Sequence, residues 1–239
     1  MYFPGLNNLS DNHNFPAEIF VFGDRSVRLC IPDAGIIKHI YEQEKTRAGD
    51  AAVPYWARIW PAAVALCQYI LKNKDLIAGK NVLELAGGLG LPSLFAAGYA
   101  RTVISSDVAP DAIVFQEQSV TLNRINNMTC KVIDWNSLPL LDEIDIVLLS
   151  DVNYDSTQFS QLSAAIAKIL HRGIPVLIAT PHRLQGRLFM DAFFPFCEQH
   201  DMEDVQLSGK KELLTIMLLR KPGPRYLLLP GEKGNSGRK

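Results

Sequence analysis

Apolar residues follow two rhythms along this chain. The runs "KNVLELA" (80–86), "TVISSD" (102–107), "TCKVIDW" (129–135), "EIDIVLLSDV" (143–152) and "IPVLIATP" (174–181) are short, with the composition of buried strands. Between them, "LPSLFAAGYA" (91–100), "APDAIVFQEQSVTLNRIN" (109–126) and "STQFSQLSAAIAKIL" (156–170) read as helices. In the last of these, Phe159, Leu162, Ile166 and Ile169 share one face. A helix is also expected within residues 53–73, where Val64, Leu66, Cys67, Ile70 and Leu71 recur at helical spacing and Pro61 suits a first turn. "GRLFMDAFFPFCEQH" (186–200) reads as a further helix, and "MEDVQLS" (202–208) and "LLTIMLLRK" (213–221) as strands. Strands alternating with helices imply βαβ units and a mainly parallel sheet. The last two strands have no helix between them, so the sheet is expected to end in an antiparallel hairpin.

The first fifty residues read differently. "EIFVFGDRSVRLCIP" (18–32) alternates around a Gly-Asp turn and predicts a hairpin, and residues 33–50 suit a short polar helix ending near Gly49. We expect a lid or N-terminal extension over 1–52, a main α/β domain over 53–222 and a glycine-rich, charged, partly disordered tail over 223–239.

The candidate chemistry begins at "NVLELAGGLGLPSL" (81–94), where the first sheet strand turns into a helix. Ligands of such sheets bind at the carboxyl ends of the strands. Gly87, Gly88 and Gly90 permit a left-handed backbone and close approach. No Gly-Lys-Ser/Thr follows, which removes a P-loop, and Ser93 stands where a dinucleotide fingerprint needs its third glycine. A nucleoside cofactor without a pyrophosphate uses the same turn, and so does a purely structural βα connection. Asp107 ends the next strand 17 residues beyond Gly90, where a carboxylate accepts from ribose hydroxyls or caps the next helix. Asp134 could accept from an adenine amino group, and Trp135 could cover a ring face or pack at the sheet edge. Glu84 lies inside the first strand, where a buried carboxylate needs a partner. A cofactor ammonium is one candidate, and a neighbouring backbone or side-chain donor is the other.

Composition narrows the classes. The formal net charge of −1 leaves no global field for nucleic acid or anionic lipid. Cys30, Cys67, Cys130 and Cys197 form neither a CxxC pair nor a Cys/His cluster, so no metal site is expected and reduced, mostly buried thiols are. The first residues lack the basic and apolar regions of a secretory signal, and no apolar run reaches the length of a membrane span. A cytoplasmic protein, monomeric by default, is the expectation.

Four stretches together resemble the class I, seven-strand methyltransferases, in the family that holds protein lysine methyltransferases and nicotinamide N-methyltransferase-like proteins: "WPAAVALCQYI", "VLELAGGLGL", "DW" at 134–135 and the Asp-x-x-Tyr of "SDVNYD" at 150–155. "PYWARIWPAA" in particular looks like the lysine methyltransferases that act on the electron-transfer flavoprotein β subunit. The resemblance covers about residues 53 to 220. It implies a Rossmann-like seven-stranded sheet with one antiparallel strand, helices on both faces, and S-adenosylmethionine as cofactor. Trp60 would then pack on the cofactor, with Ala86, Gly87 and Gly88 lining its methionine end. Asp107 would hold the ribose, Trp135 would flank the adenine, and Ser150 would lie beneath. The family usually has glycine where this chain has Ala86, which leaves less room in the loop.

Asp151 and Tyr154 would face the acceptor nitrogen: a carboxylate orients an ammonium, and a tyrosine hydroxyl and ring hold a nitrogen. The expected activity is methylation of a protein lysine. A nicotinamide-like small-molecule acceptor and a non-catalytic cofactor-binding module are the alternatives. Trp56 is expected either to wall the acceptor site or to anchor the N-terminal segment, and His182 and Arg183 are weaker acceptor-side candidates.

Overall fold

The computed structural model describes residues 16–49, 51–182 and 189–221. The tail beyond 221 and Arg183 lie outside the described residues. The apolar runs become the strands β3 (Asn81–Leu85), β4 (Thr102–Asp107), β5 (Met128–Val132), β6 (Ile146–Ser150) and β7 (Val176–Pro181). They join β8 (Cys197–Leu207) and β9 (Lys210–Leu219) in one seven-stranded sheet of order β5-β4-β3-β6-β7-β9-β8. β9 pairs antiparallel with both β7 and β8, so it alone runs against the rest. The central strands β3, β6 and β7 are buried almost throughout, because helices cover both faces, and this is why they read as mainly apolar runs, broken in β3 by Glu84.

The period of two divides the core. Val82 of β3 enters one cluster with the helices α2 (Pro61–Lys72), α3 (Leu91–Ala96) and α4 (Pro110–Asn123), while Leu83 and Leu85 enter the other, with α5 (Phe159–His171). The N-terminal segment forms the predicted hairpin, β1 (Ala17–Phe22) with β2 (Arg25–Cys30), and the helix α1 (Ala34–Ala48), capped by Asp33 and ended by a left-handed Gly49. Phe22, Val27, Leu29 and Cys30 of the hairpin are buried in the same cluster as α2 and α4.

One element departs from the sequence reading. Residues 197–200 were expected to finish a helix, but Cys197 opens β8 and pairs with Leu219. Pro195 lies in a 3-10 turn, Phe194–Phe196, that ends the helical phase, and pairing along β9 then holds the following residues extended. A smaller shift shortens the third sheet strand to Val132, and Trp135 opens a 3-10 turn capped by Asp134. Among the described residues no helix is long and apolar enough to cross a membrane. Cys30 and Cys67 are buried thiols and Cys130 and Cys197 half-buried ones. Burial pushes all four above the usual thiol range, so none is poised as a nucleophile.

Candidate active site

The strand order reverses between β3 and β6, and the crevice above their carboxyl ends holds a cavity of about 610 Å³. The glycine turn after β3 forms its floor. Ala86, Gly88 and Gly90 all adopt left-handed backbone, with φ of 51°, 55° and 76°. The turn is held from three sides. Gly87 N–H donates to the Ser106 carbonyl at 2.7 Å, Gln116 donates to the Gly88 carbonyl at 2.7 Å, and Gly88 N–H donates to Asp107 Oδ2 at 2.9 Å. A Cβ on Gly88 would stand 3.2 Å from the Trp56 carbonyl oxygen, so only glycine suits both the dihedral and the approach.

Ala86 carries a side chain where the backbone favours none. Left-handed alanine costs about 1–2 kcal/mol, partly offset by the lower chain entropy alanine has when unfolded. Ala86→Gly is therefore expected to stabilise the protein by about 0.5–1 kcal/mol, read as a higher urea midpoint at unchanged slope. A lower midpoint would mean that the Ala86 methyl contributes packing worth more than the strain.

Asp107 ends β4 beneath this turn. Its other oxygen, Oδ1, accepts from Ala109 N–H at 2.9 Å, so one carboxylate ties the β3–α3 turn to the β4–α4 turn. Burial raises its pKa, and the backbone donors oppose that shift. Glu84 sits one layer deeper. It is fully buried, and its Oε2 accepts from both the backbone N–H and the hydroxyl of Ser93. Ser93 thus supplies the backbone and side-chain donors that this buried carboxylate needs. Burial, with a smaller push from the Asp107 charge, lifts the Glu84 carboxyl to about 8 against the two Ser93 bonds. Its carboxyl lies 2.9 Å behind the position a Gly87 Cβ would take.

The cavity brings the expected residues together. Trp60, Ala86, Gly87, Gly88, Asp107, Asp134, Trp135, Ser150, Asp151 and Tyr154 all line it, and Glu84 does not. Asp134 Oδ1 is held by the backbone and side chain of Asn136. Asp151, nearly buried, follows β6 with a left-handed φ of 53°, a conformation aspartate tolerates better than most residues. The Tyr154 ring lies 4.7 Å from the Tyr55 ring. Burial, then the nearby Asp107 charge, pushes the Tyr154 hydroxyl up to about 12, so it remains a protonated donor at neutral pH.

Trp56 lines the cavity although it is only 8% exposed, and it packs on Phe115 at 5.7 Å, which anchors the entry segment under the glycine turn. Tyr55, 42% exposed, is the residue of that segment turned towards Tyr154. His182 shares a hydrogen bond with Thr215 and is not part of the cavity lining. The sequence reading assigned no role to Tyr55 and Arg58, though both line the cavity. The Arg58 guanidinium rests 3.8 Å above the Trp60 ring. An arginine between two tryptophans was the available signal.

Comparison with known proteins gives a consistent result. The family model described as "Lysine methyltransferase" matches residues 26–198. The electron transfer flavoprotein beta subunit lysine methyltransferase of Danio rerio is 33% identical over 134 residues, which is 55% of this chain and 52% of that protein. Its Homo sapiens counterpart is 35% identical over 55% of this chain and 51% of its own length. Histone-arginine methyltransferase METTL23 of Homo sapiens is 30% identical, over 54% of this chain and 70% of that protein. The chain thus spans about half the length of the flavoprotein-directed relatives. Among solved structures, a putative RNA methyltransferase from Pyrococcus horikoshii superposes with a TM-score of 0.56 at 16% identity, covering 72% of this chain and 91% of that one. At that identity the likeness is one of fold.

Proposed function

We propose, for a chain that belongs to the lysine methyltransferase family, the transfer of a methyl group from S-adenosylmethionine to a lysine side chain of a protein. The observation that carries this reading is the meeting, in one cavity, of a pinned glycine turn and the Asp151/Tyr154 pair at the end of the neighbouring strand. The cavity volume suits a nucleoside-sized ligand. Gly87 and Gly88 give close access to backbone. Asp107 keeps acceptor capacity beyond its two bonds to Gly88 and Ala109, enough for ribose hydroxyls. Trp135 and Asp134 suit an adenine face and its amino group, and Trp60 covers the cavity from the start of α2. Relatives named for a flavoprotein lysine and a histone arginine support a protein acceptor. So does the exposure of Tyr55 and Tyr154 at the mouth.

When bound, S-adenosylmethionine supplies a methyl group already activated by its positive sulfur. The chain's task is to place an unprotonated amine in line with it, and positioning of this kind supplies a large share of such barriers. A lysine arrives protonated, with an ordinary pKa of about 10.4. Asp151 attracts and orients the ammonium, Tyr154 holds the nitrogen through its hydroxyl and ring, and water takes the proton. The glycine turn, Asp107, Asp134, Trp135 and Trp60 would hold the cofactor, whose sulfonium would supply the methyl group, while Asp151 and Tyr154 would hold the neutral amine facing it.

Methyl-labelled S-adenosylmethionine incubated with lysate and the purified protein is expected to place label on methyl-lysine in a protein hydrolysate. Label confined to arginine or to small molecules would sink the lysine assignment. In the same assay, Asp151→Asn is expected to slow labelling about tenfold or more and Tyr154→Phe about fivefold. Both variants should bind S-adenosylhomocysteine like the unaltered protein. Full turnover in both would remove the pair from the acceptor site.

A further inference from the structure

We propose that Arg58 forms a carboxylate-reading subsite at the cavity mouth, which selects acceptor segments with an aspartate or glutamate flanking the methylated lysine. The inference rests on the proposed methylation of a protein lysine. Arg58 is exposed, lines the cavity, and has the face of Trp60 as its partner among the described residues. The other charged side chains in the described lining are acidic: Asp107, Asp134, Asp151 and Asp155. Those carboxylates favour an incoming ammonium, and an unneutralised guanidinium beside them opposes it. A carboxylate carried by the acceptor converts that repulsion into attraction.

The guanidinium is held ready for this. Trp60 Nε1–H donates to the Tyr55 carbonyl at 2.9 Å, which fixes the ring on which Arg58 stacks. Stacking occupies a face of the guanidinium and leaves its N–H edges free for a bidentate carboxylate. A row of aromatic rings connects this subsite to the residue assigned to the acceptor nitrogen. Tyr154 lies 4.7 Å from Tyr55, Tyr55 lies 6.1 Å from Trp60, and Arg58 lies 3.8 Å beyond. Extended chain advances about 3.3 Å per residue, so the carboxylate read by Arg58 falls within about four residues of the lysine.

Fluorescence anisotropy with labelled peptides tests this, using saturating S-adenosylhomocysteine and a single central lysine in each peptide. One set carries Asp or Glu within four positions of the lysine, a second carries Asn or Gln there, and a third carries Arg. The acidic set is expected to bind about tenfold tighter than its amide counterparts. Arg58→Gln should erase that preference, and Arg58→Glu should shift it towards the Arg-flanked set. Absence of any acid preference, lack of binding by the acidic peptides, or persistence of the preference in Arg58→Gln would overturn the proposal. So would a similar loss of S-adenosylhomocysteine affinity in Arg58→Gln, because the carboxylate would then be the cofactor's own. If the protein binds S-adenosylhomocysteine and labels lysines regardless of flanking charge, only the role of Arg58 falls. If it binds no S-adenosylhomocysteine, the methyltransferase reading falls with it.

Discussion

Asp107→Ala is expected to weaken S-adenosylhomocysteine binding by about a hundredfold or more, enough to remove the heat signal in a calorimetric titration that is clear for the unaltered protein. Three losses coincide. The Gly88 N–H and the Ala109 N–H each lose the carboxylate oxygen they bond at 2.9 Å. A buried donor left without an acceptor costs about 1–3 kcal/mol. The glycine turn then keeps its left-handed dihedrals without the tie that draws it onto the β4–α4 turn. The third loss is the carboxylate proposed to accept from the ribose hydroxyls. Asp107→Asn separates these effects. One amide oxygen replaces one carboxylate oxygen well, while the amide N–H₂ faces a backbone N–H and cannot accept from it. Asn should therefore fall between aspartate and alanine. Thermal stabilisation by ligand is an independent readout: a ligand at a hundred times its dissociation constant stabilises by about 2.7 kcal/mol, and that gain should vanish in Asp107→Ala. Equal affinity in the alanine variant would place the nucleoside elsewhere.

The features legible in the sequence were those with a local cause. β6 and β7 announce themselves because both faces are covered, so nearly every position is apolar, and β3 does so apart from Asn81 and the buried Glu84. The glycine turn and the strand-end Asp107 are legible because left-handed backbone and a carboxylate at a strand's end are properties of single residues. The hairpin turn and the cap at Gly49 are of the same kind. What was not legible depends on distant partners. Trp56 and Tyr55 are adjacent aromatics, and only packing against Phe115 on one side and Tyr154 on the other decides which is buried. The start of β8 is set by β9, and residues 197–200 taken alone carry no strand period. Glu84 reads as a residue in need of a partner. That Ser93, nine positions on, supplies it follows from how the turn folds back over β3.

Glu84 makes the last prediction, because its state is coupled to pH in a definite direction. Folded, the carboxyl keeps its proton up to about pH 8; its ordinary value is 4.5. Between those values the folded protein binds more protons than the unfolded chain, so stability is greatest below the lower value and declines as pH rises to the upper. Each tenfold difference in proton affinity between folded and unfolded chain is worth about 1.4 kcal/mol, so a gap this wide amounts to a few kcal/mol. Glu84→Gln removes the titration while its amide oxygen still accepts from Ser93. The variant is therefore expected to unfold in urea with a midpoint that varies much less between pH 5 and pH 9, and to be more stable than the unaltered protein at pH 9. Some slope should remain, because burial raises Asp107 in the same direction. Parallel curves for the two proteins would mean that Glu84 is already ionised in the fold at neutral pH. The same coupling decides whether Glu84 serves the cofactor. If it comes to pair with a cofactor ammonium, it must ionise, and S-adenosylhomocysteine binding at pH 7 should release close to one proton, seen as a dependence of binding heat on the buffer's ionisation enthalpy. If it stays protonated on Ser93, the heat should be independent of buffer, and Glu84 acts from behind Gly87 by holding the turn on which the nucleoside would rest.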